Sequence, residues 1–369
     1  MIDRRKLLGA ATLGTAGLAA AACGQSTSSP DGGAAVQTRR KTRLNMTTTW
    51  PKDLPGLGAA ATRLAERVNV LSEGQMEIKV YAAGEVVPAF EAFDEVASGN
   101  MDIYHGAEYY WQSKSKAFNF FTAVPMGMTS AEIMGWIDFG GGQQLWEELS
   151  GQHGVIAFQG ANTGHQMGGW YKREVNSLDD FNGLKVRIPG LGGDVVRALG
   201  GAAEALPGPD IYQALQTGRI DATEWVGPWN DYFLGFHREA KYLYGPGFHE
   251  PGSVLSVGMN RQKWDSLTQI EQAIFRSACN EVNSYSIGEF AYQNGVYLEK
   301  LVNEENIELR RFPDDVMARV QEISADVRSD AGSDGELEAR IYASFEDSLK
   351  KSRGWASISD APYMASREL

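Results

Sequence analysis

Arg187 lies in GLKVRIPG, residues 183–190, a strand-like run in which it stands between Val186 and Ile188 and which ends in Pro189-Gly190. An unpaired buried charge is very costly. Its guanidinium must therefore reach solvent, pair with a protein carboxylate or meet an anionic ligand, and we expect a ligand carboxylate. Two acids have equally distinctive settings: Glu224 in DATEWVGPW, where polar residues interrupt an apolar strand end, and Glu250 in the Gly/Pro loop GPGFHEPG. Taken singly, each reads as a solvated loop residue, the usual place for a glutamate. If both face one cleft with a carboxylate ligand, Arg187 alone cannot balance them and a cation must share the site. Oxygen donors from carboxylate, amide and backbone carbonyl suit Na⁺ or Ca²⁺ better than zinc.

Other chemistries find little support. The five histidines, His105, His153, His165, His237 and His249, never take a zinc-protease spacing, and no CxxC pair accompanies them. GLGGDVV places Gly190, Gly192 and Gly193 at a strand-to-helix turn but lacks the third glycine of a dinucleotide fingerprint and the Lys-Ser/Thr of a P-loop. Those glycines are expected to let backbone pass close to a ligand or to another segment. No GxSxG elbow is present. Among many aromatics near segment ends, Tyr109, Tyr110 and Trp225 stand beside polar candidates and could wall a small-molecule pocket.

The elements that must position these residues alternate between strand and helix. LNMTTTW from Leu44 reads as a first strand, followed by an amphipathic helix stopped by Gly74; residues 76–86 alternate as a second strand, and MDIYHGAEYYW gives a third strand and an aromatic loop. VIAFQGA, residues 155–161, is a further short strand. The second half repeats the grammar: LKVRIPG as strand, GDVVRALGG as helix, DIYQALQTGRIDATEW as helix running into strand. From Val254 one strand leads into a helical stretch long enough to brace two lobes. Asp314 to Glu346 is amphipathic again, and periodicity is lost beyond it. Such a tail must bury its face on this molecule or on a partner, which makes it a candidate dimerisation element.

The chain has 369 residues, 43% of them hydrophobic and 22% charged, enough for two lobes with their own cores. Arg4, Arg5 and Lys6 head an apolar, Ala-rich run from Leu7 to Ala22, the pattern of an export signal over residues 1–22, and the Arg4-Arg5 pair suggests the twin-arginine route. Cys23 follows four residues of an Ala-rich lipobox-like stretch, so a lipid anchor there and ordinary cleavage nearby both remain open. Residues 23–43 read as a flexible linker. Cys279 is the only later cysteine, so no internal disulfide framework is expected. A formal charge of −13, more negative once the basic head is removed, is a poor match for nucleic acid.

Taken together, NTGHQMGGWY, GLKVRIPGLGG, LQTGRIDATEWVGPWND and GFHEPG resemble the solute-binding proteins of TRAP transporters, in particular the branch that binds 2-oxo acids such as pyruvate, or lactate with a cation. The likeness runs from about Leu44 to the tail. It implies an α/β, two-lobed periplasmic-binding-protein fold with a long helix spanning both lobes and a C-terminal helical tail. The corresponding divisions are 44–161 for lobe 1, 162–252 for lobe 2, 253–313 for the return strand and spanning helix, and 314–369 for the tail. By position, the resemblance makes Arg187 the grip on the ligand carboxylate and Gln166 a ligand- or metal-contacting amide. Glu224, the main-chain carbonyl of Trp225 and Glu250 become ligands of a metal cation, Na⁺ or Ca²⁺. Tyr109, Tyr110 and Asn162 join the substrate-binding candidates.

The function implied is a non-enzymatic receptor in the periplasm for a small 2-oxo or 2-hydroxy monocarboxylate, delivering it to TRAP membrane permease subunits, with a homodimer expected. The alternative is an exported metal-dependent lyase or hydrolase using Glu224 or Glu250 as general base.

Overall fold

The structure, a computed structural model, describes residues 41–368. The export signal, Cys23 and the linker up to residue 40 lie outside the described residues. The first sheet begins with β1 (Thr42–Thr48), followed by α1 (Leu57–Leu71), β2 (Met76–Tyr81), α2 (Ala92–Ala97) and β3 (Ile103–Gly106). β1 takes in Thr42 and Arg43 ahead of the apolar run because both pair in parallel register with Met76 and Glu77. The second strand stops at Tyr81, short of residue 86. Helices α3 (Ser130–Phe139) and α4 (Gly142–Gly151) then lead to β4 (Val155–Asn162), whose residues are all buried.

Leaving β4, the chain crosses to a second sheet. It forms β5 (Gly169–Tyr171), β6 (Lys185–Arg187), α5 (Gly190–Ala198), β7 (Ala202–Glu204), α6 (Gly208–Thr217), β8 (Ala222–Thr223), α7 (Pro228–Leu234) and β9 (Tyr242–Gly245). A second crossing returns it to β10 (Val254–Asn260), which lies antiparallel between β3 and β4. After α8 (Arg261–Ser266), the 35-residue α9 (Gln269–Asn303) leads to β11 (Glu308–Arg311), an edge strand of the second sheet. The strand orders are β2-β1-β3-β10-β4 and β11-β9-β5-β8-β6-β7. Each sheet thus takes one strand from beyond a crossing, β10 in the first and β11 in the second, which ties the two lobes together through three connections.

Helix α9 is the longest of these. Thr268 and Glu271 form a reciprocal capping box at its start. Its buried residues, including Phe275, Cys279, Val282, Ser286 and Phe290, recur at three and four spacing. At about 1.5 Å per residue it reaches roughly 50 Å. Phe275 packs on Phe158 of β4, whereas Phe290 meets Trp229 of α7 edge-on, 5.1 Å between ring centroids, so one helix braces both lobes.

The tail consists of α10 (Asp314–Ala331), α11 (Glu336–Ala356) and α12 (Asp360–Arg367). Val316, Val320 and Ile323 of α10 join the second-sheet core, while Leu337, Ile341, Phe345 and Leu349 of α11 close an aromatic core over the first. Most of the tail face is therefore buried on this molecule. Beyond Leu349 the helix continues although its apolar spacing has stopped, and Trp355, Ile358 and Tyr363 are exposed. No helix among the described residues is long and apolar enough to cross a membrane.

Candidate ligand and cation site between the lobes

Parallel pairing sets Arg187, the last residue of β6, opposite Thr223 of β8, and the Glu224 N–H donates to the Arg187 carbonyl at 3.2 Å. Both side chains leave the sheet at its end and meet. Arg187 Nη1 is paired with the Glu224 carboxylate and also donates to the Glu224 carbonyl at 3.1 Å, while Nε donates to the Leu206 carbonyl at 3.1 Å. The Trp225 ring lies against the guanidinium, 4.9 Å from Cζ to its centroid. Arg187 is 1% exposed, yet Nη2 has no partner. A buried N–H without an acceptor is expensive, so this corner of the guanidinium is free to take one.

The crossings between lobes supply the rest. Gln166 on the first and Glu250 on the second are held together by backbone, with the Gln166 N–H donating to the Glu250 carbonyl at 3.1 Å, and by side chain, with Gln166 Nε2 donating to Glu250 Oε2 at 2.8 Å and to Thr163 Oγ1 at 3.1 Å. Fixing Nε2 in this way leaves Gln166 Oε1 buried and unpartnered. His249, beside Glu250, brings Nε2 to 3.2 Å from Glu224 Oε2 and 4.0 Å from Glu250 Oε1. It can come so close to α5 because Gly192 has no side chain; a Cβ there would stand 2.8 Å from that of His249.

Burial is the main reason that the Glu250 carboxyl is pushed up to about 7, with repulsion from Glu224 adding to it and His249 opposing. For His249, burial works against the charged form, but the Glu224 hydrogen bond and the two carboxylate charges outweigh it and raise the imidazole above its ordinary value. His249 thus joins Arg187 opposite the two carboxyls, and all four groups are almost fully buried.

Tyr109 and Tyr110 close the site from the first lobe, on a helical turn that follows β3. Burial pushes the Tyr110 phenol up to about 12, with Arg187 working in the opposite direction, and Tyr109 is raised by burial and by Glu250. Both tyrosines, with Trp50, Leu57, Thr163, Gln166, Trp225, Val226 and Leu255, line a cavity of about 10 Å³. That is roughly the space of one water, so the two lobes stand closed. Asn162 lies apart from this lining: its Oδ1 accepts from Ser130 Oγ at 2.8 Å and from the Gly164 N–H at 2.9 Å, while its own N–H donates to Ser286 Oγ of α9 at 2.8 Å. It pins the first crossing.

Lobe 2 touches lobe 1 again at the Gly190-Leu191 turn. Gly190 has φ +62°, and a Cβ there would come within 2.7 Å of Asn119 Oδ1 and 3.0 Å of the Tyr109 Cβ. The Leu191 N–H donates to Asn119 Oδ1 at 3.1 Å, and its side chain enters the aromatic core of lobe 1. The glycines of GLGGDVV serve close approach of chain segments.

Sequence reasoning passes over three members of this site. His249 was set aside with the other histidines for want of a zinc spacing, although its place between Phe248 and Glu250 in a Gly/Pro loop was the available signal. Trp50 and Leu57 gave no signal at all.

The oxygens fit a hard cation. Carboxylate oxygens of Glu224 and Glu250 lie within 4.8 Å of each other, and the orphaned Gln166 Oε1 belongs to the side chain bonded to Glu250; the His249 nitrogen in the same cluster is held by Glu224 instead of being offered to such an ion. The site lies between two α/β lobes joined by two short crossings and one helix, the architecture of a ligand receptor. The chain belongs to the bacterial extracellular solute-binding protein family 7, whose model matches residues 46–332.

A monocarboxylate 2-oxoacid-binding periplasmic protein of Nostoc sp. (strain PCC 7120) is 36% identical over 363 residues, 98% of each chain. Among solved structures, a TRAP periplasmic solute-binding protein of Pseudoalteromonas atlantica, with bound sodium and pyruvate, is 35% identical with a TM-score of 0.85, covering 88% of this chain and 99% of that one. One from Colwellia psychrerythraea, with bound calcium and pyruvate, matches with the same identity, coverage and TM-score. The chain is a periplasmic solute-binding receptor of the TRAP type and not an enzyme.

Proposed function

We propose that the receptor binds a small 2-oxo or 2-hydroxy monocarboxylate, of the pyruvate or lactate type, together with Na⁺ or Ca²⁺, and carries it to a TRAP permease. The observation that carries this reading is the pair of buried, unpartnered atoms of opposite kind, Arg187 Nη2 and Gln166 Oε1, on either side of Glu224 and Glu250. Arg187 Nη2 donates to the ligand carboxylate while Nη1 keeps Glu224 in place. Glu224, Glu250, Gln166 Oε1 and the Trp225 carbonyl would hold the cation, which when bound would bridge the ligand's oxygens to these groups. Tyr109 and Tyr110 cover the ligand from lobe 1 and exclude water. Asn162, whose Nδ2 is buried and unpartnered, is a further candidate to meet the ligand, while its backbone N–H ties the first crossing to α9.

Lobe 1 (44–161) closes on lobe 2 (162–252), with residues 253–313 as brace, and closure is a population shift driven by contacts available only when the lobes meet. Titration calorimetry of the refolded mature chain with pyruvate, lactate and propionate, with and without Na⁺ or Ca²⁺, tests the reading. Pyruvate and lactate are expected to bind in a cation-dependent way and propionate at least about tenfold more weakly, since a site built for a second ligand oxygen is left with unpaired groups. Equal affinities for all three would overturn it.

The tail (314–369) makes the receptor a homodimer through the exposed Trp355, Ile358 and Tyr363, whose size and clustering suit a second copy. Sedimentation of a chain ending at residue 351 should then give a monomer. The Arg4-Arg5 pair and Cys23 support export through the twin-arginine route with a lipid anchor at Cys23, which mass spectrometry of the mature N-terminus would decide.

A further inference from the structure

The far end of the cavity is walled by side chains with no charge to offer. From Arg187 the order of packing is the Trp225 ring, then Trp50, whose ring meets that of Trp225 edge-on with 6.2 Å between centroids; Trp50 also lies 6.4 Å from the Tyr110 ring. Leu57, Val226 and Leu255 complete this end. For a carboxylate held at Arg187, the neighbouring rings of Trp225, Trp50 and Tyr110 would offer its substituent apolar surroundings that reject a second carboxylate.

Trp50 follows the end of β1, and its one polar side-chain atom, Nε1, donates to Nδ1 of His105 at 2.8 Å. His105 is fully buried on β3, between β1 and β10, in register with Thr48 and Val257. Its Nδ1 accepts, so the neutral ring carries its proton on Nε2, which has no partner. Burial lowers the imidazole to about 3, which keeps it neutral and keeps Nδ1 an acceptor throughout the physiological range. An acceptor on an interior strand thus fixes the rotation of a large ring that stands beyond the sheet's edge.

We propose that Trp50 sets the size limit for the ligand's substituent and that His105 is a positioning residue for that specificity, acting through the Nδ1 hydrogen bond alone. The inference rests on the 2-oxo monocarboxylate reading given above. Its test is the ratio of pyruvate to 2-oxovalerate affinity, measured by calorimetry on the full mature chain with Ca²⁺ present. Wild type should favour pyruvate by about tenfold or more, the discrimination that a hydrophobic pocket achieves per extra methylene.

His105→Leu removes the acceptor and should shrink the ratio severalfold by improving 2-oxovalerate binding. His105→Asn, whose Oδ1 can stand where Nδ1 does, should restore it, a rescue that a packing role alone would not give. Trp50→Phe, with His105 intact, should shrink the ratio as His105→Leu does, and the double variant should do no more than either single one. If His105→Leu does not fold, Trp50→Phe and His105→Asn carry the test unchanged. A ratio that stays at the wild-type value in Trp50→Phe, or in a folded His105→Leu, overturns the inference while leaving the ligand reading intact. Wild-type protein that binds neither acid overturns that reading and the inference with it.

Discussion

Across the cleft, lobe 2 and the crossings present Arg187, Glu224, His249 and Glu250, whereas lobe 1 presents Trp50, Leu57, Tyr109 and Tyr110. The charged wall is tied to backbone at almost every point: Arg187 to the carbonyls of Leu206 and Glu224, Gln166 to Glu250. The aromatic wall is tied by ring contacts and a few side-chain hydrogen bonds. A charge placed on preorganised dipoles needs no rearrangement to meet its ligand, whereas an apolar wall acts by excluding water and so strengthening every interaction it covers. Recognition of the charged groups belongs to one side of the cleft, and retention of the ligand to the other.

The largest expected effect is on the charged side. Arg187→Ala leaves Glu224 buried without its partner and should weaken ligand binding by at least about 100-fold in calorimetry, in line with roughly 2–5 kcal/mol for breaking a buried charge pair. An affinity within threefold of wild type would mean that lobe 2 is not the recognising half. Next comes the contact that only the closed form makes. Leu191→Ala removes a side chain from the aromatic core of lobe 1, where such a truncation costs about 2–5 kcal/mol, and closure should bear most of it. Affinity is expected to fall at least tenfold with the ligand-free melting temperature nearly unchanged; a large drop in melting temperature at constant affinity would break the division between recognition and retention.

Removing one cation-facing charge is a smaller step. Glu250→Gln should weaken Ca²⁺ binding about tenfold, since carboxylate count tunes such sites, while leaving the pyruvate preference over propionate in saturating Ca²⁺. Unchanged Ca²⁺ affinity would remove Glu250 from the ligand set.

The last effect is on stability instead of affinity and concerns a carboxyl on the aromatic side. Glu108 is buried in lobe 1, accepts from the Tyr104 hydroxyl at 2.6 Å, and is raised by burial from 4.5 to about 7. The native state therefore holds this proton more tightly than the unfolded chain. Its contribution to stability is complete below about pH 4.5 and is lost as pH rises to about 7, by up to ~1.4 kcal/mol per pH unit. Glu108→Gln should remove that slope from denaturant unfolding between pH 4.5 and 7.5, and an unaltered slope would show that Glu108 is ionised in the core.

How much of this was legible in the sequence follows the same division. Arg187, Glu224 and Glu250 are conspicuous because charged residues in apolar or Gly/Pro settings demand a partner, and strand-helix alternation outlined both sheets. Trp50, Leu57 and Leu255 are silent, since an apolar side chain in a strand or helix reads as core wherever it points. His249 is intermediate: its neighbour in the loop drew attention, but only the fold brings its Nε2 to Glu224. In the tail, helix continues through α12 although the buried spacing ends at Leu349, so periodicity marks where the tail packs and not where its helix stops.

The two short crossings carry Gln166, His249 and Glu250, so on the proposed reading the segments that flex when the lobes part are also those that hold the cation. Filling the site would then stiffen the joint, and bending the joint would empty the site. A receptor built so would need no separate trigger to let go: a permease that prised the lobes apart would dismantle the coordination directly, and cation and acid would leave in the same stroke.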